Sequence, residues 1–172
     1  MATNTQKIIS VIIPAWNETE VLDELSCRLT ELMDRQTEYS FEIIIVENGS
    51  WDDSWERLKE IHGKDPRFKI IQLSRNFMAD GGVMAGLNMA EGDAAIIMNA
   101  DLQDPPELID AFINKWEQGY EIVYGIIERR QGEPFFKVTA SDVYYTLVNT
   151  VTNGAIPKNV SDFRLVNRKV YL

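Results

Sequence analysis

Between Ala94 and Glu107 the chain reads AAIIMNADLQDPPE. The apolar run Ala94–Met98 turns abruptly into Asn99, Asp101, Gln103 and Asp104, and Pro105-Pro106 stops it. Asp101 and Gln103, two apart, can both offer oxygen to one hard divalent cation where the backbone turns. A plain strand-to-helix loop with a polar edge accounts for the same residues. The chemistry gains weight from three more polar sets that also follow apolar runs: Trp16-Asn17-Glu18, Glu47-Asn48 and Arg75-Asn76. Asn, Glu and Asp side chains hydrogen-bond a nucleoside, and a metal-bound diphosphate could sit beside it. No Walker lysine loop and no G-x-G-x-x-G is present, which argues against a P-loop NTPase and the usual dinucleotide site.

These sets need a scaffold that brings strand ends together. KIISVIIP (7–14), FEIIIV (41–46), FKIIQL (68–73), Ala94–Met98 and EIVYGII (121–127) each read as strands. Apolar residues recur at helical spacing between them. Val21, Leu22, Leu25, Leu29, Leu32 and Met33 predict a helix over 18–34 with Asn17 as N-cap. Trp55, Leu58 and Ile61 predict a second helix, capped by Asp52 or Asp53 and ended by Gly63. A third covers 79–90, where Gly81, Gly82 and Gly86 imply close approach to a neighbouring backbone or a ligand. A fourth spans 105–118. Strands alternating with helices across short turns predict an α/β/α sandwich around a mainly parallel sheet. In such a sheet the strand ends share one edge, where ligands bind. Past Ile127 come a charged loop, an aromatic-rich helical stretch over 134–151 and a short strand near 162–166.

Size and composition bound the function. The 172 residues make one domain with a substantial core. A net charge of -10 argues against a general nucleic-acid binder. The charge is uneven: residues 1–125 carry 10 Lys/Arg against 23 Asp/Glu, and residues 126–172 carry 7 against 4. A basic tail on an acidic body suits an anion such as a phosphate or a headgroup layer. Cys27 is the only cysteine, so an internal disulfide and a cysteine zinc cluster are excluded. His62 reads as a structural residue in the last turn of its helix. No apolar run approaches a membrane span and no signal peptide opens the chain, so a cytoplasmic location is expected. The chain stops at Leu172 without a polar tail, and we expect it to be part of a longer protein.

Seven segments carry a resemblance: SVIIPAWNE (10–18), IIIVENGSWDDS (43–54), LSRNF (73–77), MAGL (84–87), GDAAIIMNADLQDPPELI (92–109), YEIVYG (120–125) and SDFRLVNR (161–168). In order and over nearly the whole chain, they resemble the family 2 glycosyltransferases of the GT-A fold. The nearest group is the polyprenyl-phosphate sugar transferases, which includes dolichyl-phosphate mannose synthase and the bactoprenol glucosyltransferases. The resemblance implies a Rossmann-like GT-A sandwich, with 1–127 as the nucleotide-sugar part and 128–172 as the start of the acceptor side. It implies donor contacts from Pro14, Ala15, Asn17, Glu18, Glu47, Asn48 and Asn99, and Arg75 joins them from its strand end. Asp101 and Gln103 would hold Mg²⁺ or Mn²⁺. Asp162 and Arg164 would lie on the acceptor side; Ile127 stands where the family often has an arginine, and Arg129 and Arg130 are the candidates to take over acceptor-phosphate binding from it. The chain departs from the family pattern at several places. Trp16 replaces a tyrosine, Glu47-Asn48 replaces two aspartates, Asn99 replaces the first aspartate of D-A-D, and Met78 stands where glycine is frequent.

The expected activity is inverting transfer of a sugar from a UDP- or GDP-sugar to a polyprenyl phosphate, at the inner face of the cell membrane, for envelope glycan synthesis. The membrane contact is expected from sequence beyond Leu172. A glycan hydroxyl is the alternative acceptor and would need a base, for which Asp162 is the candidate. A non-catalytic nucleotide-sugar-binding module is the alternative from another class, motivated by Asn99 and Glu47-Asn48.

Overall fold

The structure, a computed structural model, describes residues 6–126 and 160–172. The chain divides into two compact units, residues 1–123 with 162–172, and residues 124–161. The expected loop at 128–133 and helix at 134–151 lie outside the described residues.

Strands β1 (Ile8–Ala15), β2 (Ser40–Glu47), β3 (Phe68–Gln72), β4 (Ala94–Ile97), β5 (Ile122–Ile126) and β6 (Val160–Asn167) form one sheet in the order β3-β2-β1-β4-β6-β5. β1 runs parallel to β2 and to β4, and β2 runs parallel to β3. β6 is antiparallel to β4, from Ala94↔Asn167 to Ile97↔Arg164. The sheet is thus mainly parallel, as expected. β1 is the central strand, and Ile9, Val11, Ile12 and Ile13 are fully buried because both its faces are covered.

Alternation along the strands separates the two faces. Val11, Ile13, Ile43 and Ile45 pack against Leu22, Leu25 and Leu29 of α1 (Leu22–Arg35), Leu58 and Ile61 of α2 (Ser54–Lys64) and Phe112 of α4 (Ile109–Glu117). Ile12, Ile44, Val46 and Ile97 face Val83 and Leu87 of α3 (Met78–Met89) and Tyr171 of the short α5 (Arg168–Tyr171). This is an α/β/α sandwich.

Register sets the functional edge. Ala15 pairs with Glu47, and Glu47 pairs with Gln72. Ile12 pairs with Ile97, so residues after Ile97 run beside the end of β1, and Met98 N–H donates to Ile12 O at 3.1 Å. The chain steps from β1 outward to β3 and then returns to the other side of β1 with β4. The crevice between β1 and β4 is therefore the topological switch point, where open α/β sheets bind ligands.

Three boundaries differ from expectation. α1 starts at Leu22 rather than Glu18, with Val21 as N-cap. Asn17 is not the cap: its φ is 57°, a left-handed conformation that asparagine tolerates, and its Oδ1 accepts the N–H of Trp51 at 3.1 Å. Gly63 lies inside α2, which continues through Lys64 before Pro66. The fourth helix opens as a 3₁₀ turn over Pro106–Leu108, then becomes α4 at Ile109.

Candidate donor-binding site

A cavity of about 440 Å³ opens at the switch point. Pro14, Ala15, Trp16 and Glu18 line it from the end of β1, and Asn99, Ala100 and Asp101 from the end of β4. Asn48 after β2, Asn76 after β3, and Met78 and Ala79 at the start of α3 complete the wall. Four strand ends thus meet at one cavity.

The loop after β1 is held by the loop after β2. Asn17 N–H donates to Ser50 Oγ at 2.9 Å, and Glu18 N–H donates to Ser54 Oγ at 3.0 Å. The Thr19 hydroxyl donates to Asp52 Oδ2 at 2.7 Å, and Ser54 N–H donates to Asp52 Oδ1 at 3.0 Å. Asn17 therefore shapes the loop and does not line the cavity. Trp16 and Trp51 meet edge to face, with ring centroids 4.7 Å apart.

Glu18 is left at the cavity wall. Burial raises its pKa, and the nearby Asp101 and Asp52 carboxylates raise it further. For Asp52 burial also pushes upward, but hydrogen bonds from Ser54 and Thr19 outweigh it and hold the carboxyl below its ordinary range.

The end of β4 is built around Asp104, an acid that the residue pattern left without a role. Asp104 is buried, and its Oδ2 accepts Asn99 N–H at 2.9 Å and Asn99 Nδ2 at 3.2 Å. Only the nitrogen end of an amide donates to a carboxylate, so this contact fixes the orientation of the Asn99 carboxamide. The signal in the sequence was an acid placed between a strand end and Pro105-Pro106. Asp101 Oδ1 accepts Gln103 N–H at 3.1 Å across Leu102, whose φ is 61°. Asp101 is exposed and lines the cavity, whereas Gln103 is exposed and does not line it.

The other expected site residues lie elsewhere. Glu47 is buried beneath the loop, where its Oε1 accepts Ser50 N–H and its Oε2 has no hydrogen-bond partner among the described residues. The Arg75 guanidinium lies over the Phe77 ring at 4.3 Å and does not line the cavity. Arg164 pairs with Asp162 at 3.6 Å and lines a second cavity with Met84, Leu87 and Tyr171. Arg129 and Arg130 lie outside the described residues. His62 has the expected structural role, with Nδ1 2.7 Å from Phe68 O.

Among the described residues no three His, Cys, Asp or Glu side chains gather to hold a metal. The oxygen donors at the cavity still fit a hard cation of the Mg²⁺ type. Such ions take one or two carboxylates and complete their shell with substrate phosphates and water. Asp101 is one such carboxylate, close enough to Glu18 to shift its pKa. No helix among the described residues is long and apolar enough to cross a membrane.

The sequence matches the profile of Glycosyl transferase family 2 over residues 10–172. It is 45% identical over 161 residues to the uncharacterized glycosyltransferase YkcC of Bacillus subtilis (strain 168), covering 94% of this chain and 50% of that protein. It is 33% identical over 162 residues to the prophage bactoprenol glucosyl transferase homolog of Escherichia coli (strain K12), covering 94% of this chain and 53% of that protein. The chain thus spans about half the length of the curated relatives it matches. Glucosyl-3-phosphoglycerate synthase from Mycobacterium tuberculosis, crystallised with Mn²⁺, UDP-glucose and phosphoglyceric acid, superimposes with a TM-score of 0.68 at 19% identity. That match covers 95% of this chain and 58% of the other, and it shows a shared GT-A fold. The profile match covers nearly the whole chain, and the chain belongs to glycosyl transferase family 2.

Proposed function

We propose that the full-length protein moves a sugar from a nucleotide-diphosphate donor to a polyprenyl phosphate at the inner face of the cell membrane, with inversion at the anomeric carbon. One observation carries the donor half: Glu18, Asn48, Asn99 and Asp101, from three strand ends, line a single cavity at the switch point. The acceptor half is supported by the bactoprenol glucosyl transferase homolog of Escherichia coli among the relatives.

In this reading the nucleoside enters between the loops after β1 and β2, and the diphosphate lies toward Asn99 and Asp101. Asp101 would hold Mg²⁺ or Mn²⁺, with Gln103 available after a turn of its exposed side chain. The metal, when bound, supplies positive charge against the leaving diphosphate. Asp104 keeps the Asn99 amide oriented, so the wall facing the diphosphate is set before donor arrives. An acceptor phosphate oxygen attacks the anomeric carbon as its bond to the diphosphate breaks. That oxygen is already anionic at neutral pH, so the step needs no strong general base. Arg164, Arg129 and Arg130 are the candidate partners of the acceptor phosphate. Transfer to a sugar hydroxyl would instead require Asp162 as base, and its carboxylate is shared with Arg164.

Transfer assays on the full-length protein with Mn²⁺ and a panel of UDP- and GDP-sugars test the acceptor directly. Sugar should appear on a short polyprenyl phosphate and not on a free glycan. Transfer to the glycan alone would overturn the lipid acceptor, and donor binding without any turnover would favour a binding module.

A further inference from the structure

Asn48 follows the last residue of β2 and is almost fully buried, at 3% exposure. Its backbone is tied to β1 by the bond from Asn48 N–H to Ala15 O, 2.8 Å. Its side chain reaches across to the start of α3 and bonds the backbone there twice. Oδ1 accepts Phe77 N–H at 2.9 Å, and Nδ2 donates to Met78 O at 2.8 Å.

The residue so gripped is unusual. Met78 has φ 64°, the left-handed region in which a side chain crowds its own backbone. Such a conformation persists only where its surroundings over-determine it. Two further contacts constrain the same loop. Asn76 Oδ1 accepts Met78 N–H at 2.7 Å. Gly49, at φ 71°, lies so close that a Cβ there would stand 2.4 Å from the Arg75 carbonyl carbon and 2.7 Å from Asn76 N. Met78 and Ala79 are wall residues of the donor cavity, and the Met78 side chain is 74% exposed. The conformation of Met78 therefore decides the shape of one side of that cavity.

The chemistry of the grip requires an amide. One end must accept from an N–H and the other must donate to a carbonyl. A carboxylate of the same shape meets the first demand and fails the second, placing a negative oxygen against Met78 O. A glycine at position 78 would hold the same φ without being gripped. The identities of residues 48 and 78, thirty positions apart, are thus coupled through one hydrogen bond.

We infer that Asn48 is a positioning residue for donor binding: its carboxamide latches Met78 in the left-handed conformation and so sets the α3 wall of the cavity. This rests on the reading of that cavity as the donor site, and the test separates the two. Asn48→Asp and Met78→Gly would be made singly and together in the full-length protein. Thermal midpoints would be measured without nucleotide, and dissociation constants for UDP and for GDP with Mn²⁺. Burying a new carboxylate costs the same in both backgrounds, so the comparison isolates the latch.

Asn48→Asp should weaken whichever nucleotide the wild type binds by tenfold or more and lower the midpoint. With glycine at 78 the affinity loss should shrink to a third or less, because glycine keeps the left-handed φ unaided. The midpoint loss should not shrink, because the carboxylate still faces the residue-78 carbonyl. Equal affinity losses in the two backgrounds would overturn the latch. A lowered midpoint with unchanged nucleotide affinity in Asn48→Asp would overturn the positioning role and leave a purely structural contact. If the wild type binds neither nucleotide, the donor reading fails and the positioning role falls with it. The midpoint loss of Asn48→Asp should then be larger with glycine at 78 than with methionine, whose released strain offsets part of it, and equal losses would show that Asn48 does not hold Met78.

Discussion

Glu18 shows what the cavity costs the chain at the level of one residue. Its backbone is fixed by Ser54, and its carboxyl faces a wall where burial, then Asp101 and Asp52, raise its pKa. A carboxyl whose folded pKa is raised contributes stability at low pH and loses it as pH rises through the folded value. At neutral pH the charge at Glu18 is therefore a burden without ligand. Glu18→Gln should raise the thermal midpoint of the nucleotide-free protein by about 1–3 °C. A fall in the midpoint would show that the charge is satisfied by the fold itself. The same loop marks the limit of reading residues from sequence. Glu18, Asn48, Asn99 and Asp101 stand out by type and place, Pro14 and Ala15 through the family resemblance alone, and all six line the cavity. Asn17 has the type and place of a helix cap, but its partners, Ser50 and Trp51, lie more than thirty residues away and are invisible to local pattern. Asp104 stands in the sequence as an acid before Pro105-Pro106, and its burial and its bonds from Asn99 reveal that it organises the turn.

Among the elements, α3 depends most on small residues. A Cβ at Gly86 would stand 2.3 Å from Ile12 Cγ2 and 3.3 Å from Val46 Cγ2, and one at Gly82 would stand 2.8 Å from Pro14 Cβ. The glycines let the helix lie directly on β1, and its first turn then reaches the cavity. Gly86→Ala should destabilise the protein by about 1–3 kcal/mol in urea unfolding, because the overpacked contact must push α3 off the sheet. A neutral result would mean that the helix has slack. Close approach was legible in the glycine cluster, since such residues weaken a helix unless something else gains. Strands β1 to β5 were legible as apolar runs. The place of β6 was not: the Asp162–Val166 pattern marks a strand but says nothing of its neighbour, and its antiparallel partner β4 lies more than sixty residues earlier.

For the whole molecule, the edge opposite the cavity is stapled by a buried carboxylate. Glu42 accepts from the Ser10 hydroxyl, from Lys69 Nζ at 2.5 Å and from Glu91 N–H at 2.7 Å. Gly92 N–H donates to Ser10 Oγ at 2.9 Å, and Gly92 O accepts from Arg168 at 3.1 Å and from the Tyr171 hydroxyl. One network thus ties β1, β2, β3, the turn before β4 and α5. Burial would raise the Glu42 pKa, but the bonds from Lys69, Ser10 and the Glu91 backbone prevail and hold it below its ordinary 4.5. A depressed carboxyl contributes stability above its unfolded pKa and loses it as pH falls through the folded value. Glu42→Gln should cost about 1–3 kcal/mol at pH 7, and the variant should lose less than wild type between pH 7 and strongly acid conditions. Equal acid losses in urea unfolding would place the acid sensitivity elsewhere.

On the proposed reading, the switch-point cavity holds a nucleotide diphosphate through a metal at Asp101. The most direct measurement is calorimetric titration of UDP and GDP into the full-length protein, with Mn²⁺ and with chelator, for wild type and Asp101→Ala. Wild type should bind one of the two nucleotides at least tenfold more tightly with Mn²⁺, and Asp101→Ala should lose that metal-dependent gain while keeping its thermal midpoint. Metal-dependent binding that survives in Asp101→Ala would show that Asp101 does not hold the metal.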